Sequence, residues 1–259
     1  SMTERRLRTE DFDYDLPEEL IAQTPVTPRD ASRLLVVDKQ TGERQHKTFK
    51  DLPQFLQPGD VLVRNNTRVL PARLHGMKAP TGGRVELLLL RQHSSDTWEA
   101  MVRPGRRVGS GAVLVFGDGA LTAQVLDRTD DGGRIVRFQA VGPVDEVLRE
   151  VGEMPLPPYI RAQLDDPERY QTVYAKEVGS SAAPTAGLHF TPQLLDELAA
   201  NGVELLDVTL HVGPGTFRPV KGEYIDAHDM HAEHFHVSEE TAAAGGRAKR
   251  EGRRCIAGG

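Results

Sequence analysis

Apolar and polar positions divide the chain into stretches of different character. In the first, Leu34-Leu35-Val36-Val37 is an apolar run closed by Asp38 and the turn residues Thr41-Gly42. A second run, Val61-Leu62-Val63, follows Pro58-Gly59-Asp60 and leads into Asn65-Asn66-Thr67-Arg68. Both read as strands. From about residue 71 the pattern changes to short β-rich runs at close spacing, 72–77, 84–91, 97–103, 112–116, 121–126 and 134–138. Gly82-Gly83, Pro104-Gly105, Gly117-Asp118-Gly119 and Asp131-Gly132-Gly133 between them are turn chemistry. Short strands in series with no helix between predict a small closed barrel or sandwich.

After Gly142 the spacing of Val144, Val147, Leu148 and Val151 is helical. The prolines of Met154-Pro155-Leu156-Pro157-Pro158-Tyr159-Ile160 forbid a helix interior and predict a rigid extended connector. Thr191 is set as an N-cap before Pro192; Leu194, Leu195 and Leu198 supply an apolar stripe, and Asn201-Gly202 ends that helix. Residues 203–212 then read as a strand and Phe235 to Val237 as a short one. Ser238 is a second N-cap, for a helix reaching about Arg250. Cys255-Ile256-Ala257 looks like the opening of another buried strand, and a half-built strand predicts that the natural protein is longer. The expected architecture is an α/β (α+β) main domain, residues 2–70 plus 141–259, with an inserted small antiparallel β-barrel domain at 71–140.

Composition narrows the class. At 259 residues the chain has room for one large or two modest domains, and 38% hydrophobic with 27% charged residues is ordinary for a globular protein. A single cysteine excludes an intramolecular disulfide and a cysteine-only zinc site. It also fits a reducing cytosol. No apolar run approaches the roughly 20 residues of a membrane helix, and Ser1 to Arg6 has no apolar signal-like stretch. A cytoplasmic location with no membrane partner is therefore expected. A net charge of −6 excludes a globally basic nucleic-acid binder but leaves room for a local patch, such as Arg103, Arg106 and Arg107 around a turn of the β domain.

Four segments carry candidate chemistry. Ser180 to Pro192 is small, polar and glycine-containing and runs into a helix N-terminus, where free amides suit a carboxylate, phosphate or sugar hydroxyl; a tight structural loop is the equal alternative. His211 falls at the carboxyl end of a strand before Gly213-Pro214-Gly215-Thr216, where open α/β sheets bind ligands and a neutral imidazole can accept a proton. Asn65, Asn66 and Arg68 can fix a polar ligand through fork-like hydrogen bonds, or simply form a turn. His228 to His236 concentrates histidines with Asp229 and Glu233, but its spacing is not that of a helical zinc motif, and no metal is expected. There is no Walker motif, nucleophile elbow or methyltransferase-type glycine loop.

Taken together, these segments resemble the S-adenosylmethionine:tRNA ribosyltransferase-isomerase family of queuosine biosynthesis. The resemblance runs through Asp11 to Pro17, Ile21 to Pro25, Asn65 to Leu74, Glu153 to Ile160, Arg169 to Ala175, Ala182 to Thr191, Leu210 to Phe217 and His228 to Glu233, in family order. Ser181 stands where the family more often has an apolar residue. Family members continue further, with a glycine- and threonine-rich loop and a Thr-Asn-Phe-His segment that this sequence lacks, so the resemblance implies that part of the active site is missing from it. It further implies transfer and isomerisation of the ribosyl group of S-adenosylmethionine onto 7-aminomethyl-7-deazaguanine at the wobble position of a tRNA with a GUN-type anticodon. Epoxyqueuosine forms, and adenine and methionine leave. S-adenosylmethionine would be a consumed co-substrate, with no cofactor, and the enzyme a monomer. The carried-over roles are His189 and His211 in proton transfer and Thr185, Ala186, Gly187 and Leu188 as the donor loop. Asn65, Asn66, Arg68, Gly213, Gly215, Thr216, His228, His231 and Glu233 bind substrate; Arg103, Arg106 and Arg107, read from the residues and not carried over, contact RNA phosphate or are merely solvated. Two readings from other classes are a non-catalytic RNA-binding protein and a metal-dependent hydrolase built on the 228–236 cluster.

Overall fold

The computed structural model describes residues 5–211 and 234–259. Strands β1 (Arg33–Val37) and β2 (Arg44–Thr48) form a hairpin. Asp38 shapes its turn, accepting from the backbone N–H groups of Gln40 and Thr41 at 2.8 and 3.0 Å. The polar run of β2 carries no apolar signal and does not read as a strand in the sequence; its pairing comes from the turn and from β1. Next come β3 (Val61–Asn65) and β4 (Thr67–Val69), then β5 (Arg73–Ala79), β6 (Gly83–Gln92), β7 (Thr97–Arg103), β8 (Val113–Phe116), β9 (Leu121–Arg128) and β10 (Arg134–Ala140). The rest is α1 (Val144–Val151), β11 (Glu177–Ser180), α2 (Pro192–Ala200), β12 (Glu204–His211), β13 (His234–His236), α3 (Glu239–Arg250) and β14 (Cys255–Ala257).

The expected α/β (α+β) architecture with an antiparallel barrel is what folds. Strands β5–β10 close into a barrel in the order β10-β7-β6-β5-β8-β9, every pairing antiparallel. Alternation fills it: Val85, Leu87 and Leu89 from β6 meet Trp98 and Ala100 from β7, Leu114 and Phe116 from β8, and Phe138 from β10. Closure leaves the barrel no free edge. Helix α1 packs Val147 and Leu148 onto this core. At one end, the buried Arg134 guanidinium donates to the carbonyls of Gly105, Val108, Gly132 and Gly133 at 2.7–3.1 Å. It thereby ties two loops together without a carboxylate, and desolvation holds its pKa below the ordinary arginine value.

The second sheet has the order β13-β12-β3-β14, with β12 and β14 both parallel to the central β3 and β13 antiparallel at the edge. Leu62 of β3, Phe190, and Leu194, Leu195 and Leu198 of α2 form its core, while α3 lies against β12 and β14. Strand β14 forms as expected but is not buried: Cys255 is exposed and Ile256 half-buried. Asn65-Asn66 is not the turn that one reading proposed. Asn65 ends β3, and Asn66 alone separates it from β4, which pairs in parallel with β11. Neither β4 nor β11 is legible as a strand in the sequence, because three or four mixed residues show no period. Among the described residues no helix is long and apolar enough to cross a membrane.

Asp60, 1% exposed, joins the amino ends of the three parallel strands. Its carboxylate takes both Nε (2.9 Å) and Nη2 of Arg254, just before β14, and the Gln57 amide at 2.8 Å. Its carbonyl accepts from Glu204 N at 2.9 Å, at the start of β12. The Arg254 bond holds the Asp60 carboxyl below the usual range. A folded-state pKa below the unfolded value of about 3.9 stabilises the fold above that pH, and the contribution is lost as pH falls through the folded pKa. Asp60→Asn is expected to cost about 1–3 kcal/mol at neutral pH and to flatten the acid limb of the stability curve, as read by denaturant unfolding from pH 7 to pH 2. An unchanged acid limb would show that the pair contributes nothing.

Candidate active site

Polar groups gather where β14, β3 and β12 end. Beyond the register pair Val208↔Asn65 the backbone ladder between β3 and β12 has no further partner on the β3 side. There the Asn65 carboxamide takes over. Its Oδ1 accepts from Leu210 N at 3.0 Å and from Thr67 N at 3.1 Å, while its Nδ2 donates to Leu210 O at 2.9 Å. The side chain substitutes for one peptide group and carries β12 two residues further. Asn66 adds its Oδ1, which accepts from Thr209 Oγ1 at 2.6 Å, and its amide donates to Val208 O. On the other flank Asn65 N donates to Gly259 O at 3.3 Å. Both asparagines are buried and hold the strand that presents His211.

His211 is the last residue of β12. Its Nδ1 lies 2.8 Å from the hydroxyl of Thr67, a residue with no exposed surface. Gly179, at φ +152° in the irregular register of β11, lies against the same ring: a Cβ there would stand 3.0 Å from both Cε1 and Nε2. Bulges of this kind commonly re-aim a side chain beside a site. Neither Thr67 nor Gly179 stands out in the sequence, since one looks like any strand threonine and the other like any loop glycine.

Thr185–His189 is a 3-10 turn between the small-residue segment and α2, so the segment does not run straight into the helix. The first turn of α2 is capped internally, Thr191 Oγ1 accepting from Leu194 N at 3.1 Å. Gly187 is pressed onto Tyr174, where a Cβ would meet Oη at 2.2 Å. Arg29 Nη1 donates to Leu188 O at 3.0 Å and anchors the turn to the N-terminal segment. His189 Nδ1 lies 3.0 Å from Ala186 O, with the Phe49 ring centroid 5.3 Å away. Gly259 also packs here, a Cβ on it falling 2.7 Å from Gly187 N, so this turn and the Asn65 cluster meet the same residue.

Behind the turn, Tyr174 has the Arg64 guanidinium 4.6 Å from its ring centroid, and Arg64 pairs across the sheet with Asp207 at 2.5 Å. Burial, reinforced by Asp207, pushes the Tyr174 phenol up to about 12 against the opposing effect of Arg64. It stays protonated at working pH and can only donate or accept a hydrogen bond. Its Oη and Thr172 Oγ1 are buried with no partner among the described residues. Tyr174 and Arg29 likewise carry no signal in the sequence.

The structure therefore brings Asn65, Asn66, His211, the 185–189 turn and His189 to one end of one sheet. Arg68 is turned to an ion pair with Glu168. Gly213, Gly215, Thr216, His228, His231 and Glu233 lie outside the described residues. Arg103, Arg106 and Arg107 are exposed, at the end of β7 and on the loop after it that Arg134 braces, and are not among the groups joined at this sheet end. Among the described residues no group of three or more His, Cys, Asp or Glu is placed to hold a metal.

Fold and site define a mixed α/β protein with a closed antiparallel barrel and a polar, histidine-bearing cluster at the carboxyl ends of its parallel strands. The sequence profile of the family described as queuosine biosynthesis protein matches residues 9–259, and the chain belongs to that family. It is 55% identical over 98% of its length to the S-adenosylmethionine:tRNA ribosyltransferase-isomerase of Desulfitobacterium hafniense, and 56% identical over 98% to the protein of that name from Symbiobacterium thermophilum. It spans 74% of each relative. A crystal structure of S-adenosylmethionine tRNA ribosyltransferase from Thermotoga maritima is 35% identical, covering 95% of this chain and 68% of that one with a TM-score of 0.42.

Replacing Asn65 with Leu removes the peptide substitute and leaves Leu210 N–H and C=O without partners. The expected loss is about 1–3 kcal/mol in denaturant unfolding, with any enzymatic activity falling too because His211 is no longer held. Full stability in Asn65→Leu would show that the carboxamide is dispensable to the ladder.

Proposed function

We propose that this protein transfers and isomerises the ribosyl group of S-adenosylmethionine onto a tRNA base in queuosine biosynthesis. The observation that carries this is the identity of more than half of all positions, along nearly the whole chain, with proteins of that activity. The acceptor is 7-aminomethyl-7-deazaguanine at the wobble position of a GUN anticodon, and adenine and methionine leave as epoxyqueuosine forms. S-adenosylmethionine is consumed as a substrate, not kept as a cofactor, and the enzyme works as a cytoplasmic monomer. Neither the non-catalytic RNA-binding reading nor the metal-dependent hydrolase gains support from the family.

The sulfonium makes the adjacent C5′ hydrogens acidic, so a base near neutral pKa can form an ylide. His189 and His211 are the proton-transfer groups of this reading. The 185–189 turn, Asn65, Asn66 and Arg68 surround the substrates, joined by Gly213, Gly215, Thr216, His228, His231 and Glu233. The division into a main domain, 2–70 plus 141–259, and an inserted domain, 71–140, gives the barrel its own task. Arg103 at the end of β7, with Arg106 and Arg107 on the following loop braced by Arg134, contact RNA phosphates.

Incubation with S-adenosylmethionine and tRNA carrying the aminomethyl base is expected to release adenine and yield epoxyqueuosine together, followed by mass spectrometry. Binding of that tRNA with neither product would favour a non-catalytic RNA binder instead. His189→Ala is expected to lower kcat by about 100-fold or more, and unchanged turnover would remove His189 from the site. An Arg106→Ala/Arg107→Ala double variant is expected to bind tRNA more weakly and with a shallower salt dependence. The log–log slope should fall by about 0.7–0.9 for each phosphate that the variant no longer neutralises. Unchanged affinity would place the RNA surface elsewhere.

A further inference from the structure

We propose that the fold holds the two histidines in opposite tautomers, His189 with an unprotonated Nε2 as the proton acceptor and His211 with Nε2–H as the hydrogen-bond donor, and that Thr67 is the positioning residue that sets the second. This rests on the reading that both histidines act on S-adenosylmethionine, and it divides their roles.

The partners of the two Nδ1 atoms carry the argument. His189 Nδ1 lies 3.0 Å from Ala186 O. A carbonyl oxygen only accepts, so Nδ1 carries the hydrogen and the lone pair of the neutral ring is on Nε2. His211 Nδ1 instead meets the Thr67 hydroxyl at 2.8 Å. That hydroxyl is fully buried, and among the described residues His211 is its one hydrogen-bond partner. Were Nδ1 protonated, the threonine proton would be buried with no acceptor. The hydroxyl therefore donates to Nδ1, and the neutral ring carries its hydrogen on Nε2. Gly179 leaves room for the ring in that pose, since a Cβ at 179 would stand 3.0 Å from Cε1 and Nε2 and press on it.

The roles follow. His189 Nε2 takes a C5′ hydrogen as a proton, and the electron pair stays on C5′ beside the sulfonium as the ylide. When the bond from C1′ to adenine breaks, its pair goes to the adenine ring, and the positive charge left on C1′ is shared by the ribose ring oxygen. His211 Nε2–H donates a hydrogen bond to that developing negative charge. The departed adenine then takes a proton from water, and His189 returns its own to solvent.

Ring-nitrogen NMR on protein labelled with 15N-histidine reads the tautomers directly, with His189→Ala and His211→Ala identifying the two signals. The expected result is Nε2–H on His211 and Nδ1–H on His189. The same tautomer on both, or the reverse pair, overturns the proposal whatever the activity. Kinetics in D2O read the roles: deuterium entry at C5′ of S-adenosylmethionine is expected to vanish in His189→Ala. In His211→Ala and Thr67→Val it should persist while adenine release slows at least about tenfold. Thr67→Ser, which keeps the hydroxyl, should recover most of that loss; no recovery would mean that the threonine acts through packing alone. Loss of C5′ exchange in His211→Ala would reverse the assignment and overturn it. If neither histidine variant slows adenine release while the NMR pattern is as expected, the reading that these histidines act is what fails, and the division of roles goes with it.

Discussion

One side-chain amide holds the active end of this protein together. The β3 backbone stops supplying partners to β12 at Asn65, and the Asn65 carboxamide continues the ladder to Leu210. Without it, two half-buried backbone groups would lie unpaired, each at a cost of about 1–3 kcal/mol against a domain's net stability of about 5–15 kcal/mol. Because the amide also accepts from Thr67 N, it orients β4 as well. The hydroxyl that meets His211 and the strand that carries His211 are thus placed by the same group. Gln171 repeats the device on β4, its side chain both accepting from Val69 N and donating to Val69 O.

The two ends of the parallel strands are handled differently. At the amino ends an ion pair, Asp60 with Arg254, closes the sheet and is electrostatic and pH-dependent. At the carboxyl ends the links are neutral amides and hydroxyls. A sulfonium is repelled by an unpaired cation, and Arg64 and Arg68 are neutralised by Asp207 and Glu168. Turn 185–189 is held from outside, by Arg29 on its carbonyl and by Tyr174 beneath Gly187. A rigid shell of this kind keeps reacting groups in place more accurately than the loop's own sequence can.

Much of the architecture was legible. Barrel strands announced themselves through apolar runs and glycine turns, and all of them formed within a few residues of expectation. Caps at Thr191 and Ser238 form as their side chains predict, accepting from Leu194 N and Thr241 N. Strands β2, β4 and β11 were not legible: each is short and mixed, and each exists because a neighbour supplies its hydrogen bonds. The candidate histidines and the small-residue loop stood out as unusual residues in a linear string. Thr67, Gly179, Tyr174 and Arg29 did not, since nothing in their local context distinguishes them.

By itself, the amino-acid sequence determined what is local: the order of strands and helices, their caps and turns, the inserted β-rich block, and the family, whose motifs lie in order along the chain. Only the tertiary structure decided which side chains meet. Asn65 reaches Leu210, Thr67 reaches His211 and Arg29 reaches Leu188 across well over a hundred residues each. The proton's place on a histidine is likewise set by the partner of its other nitrogen, and that partner arrives through strand pairing, which no period in the sequence encodes.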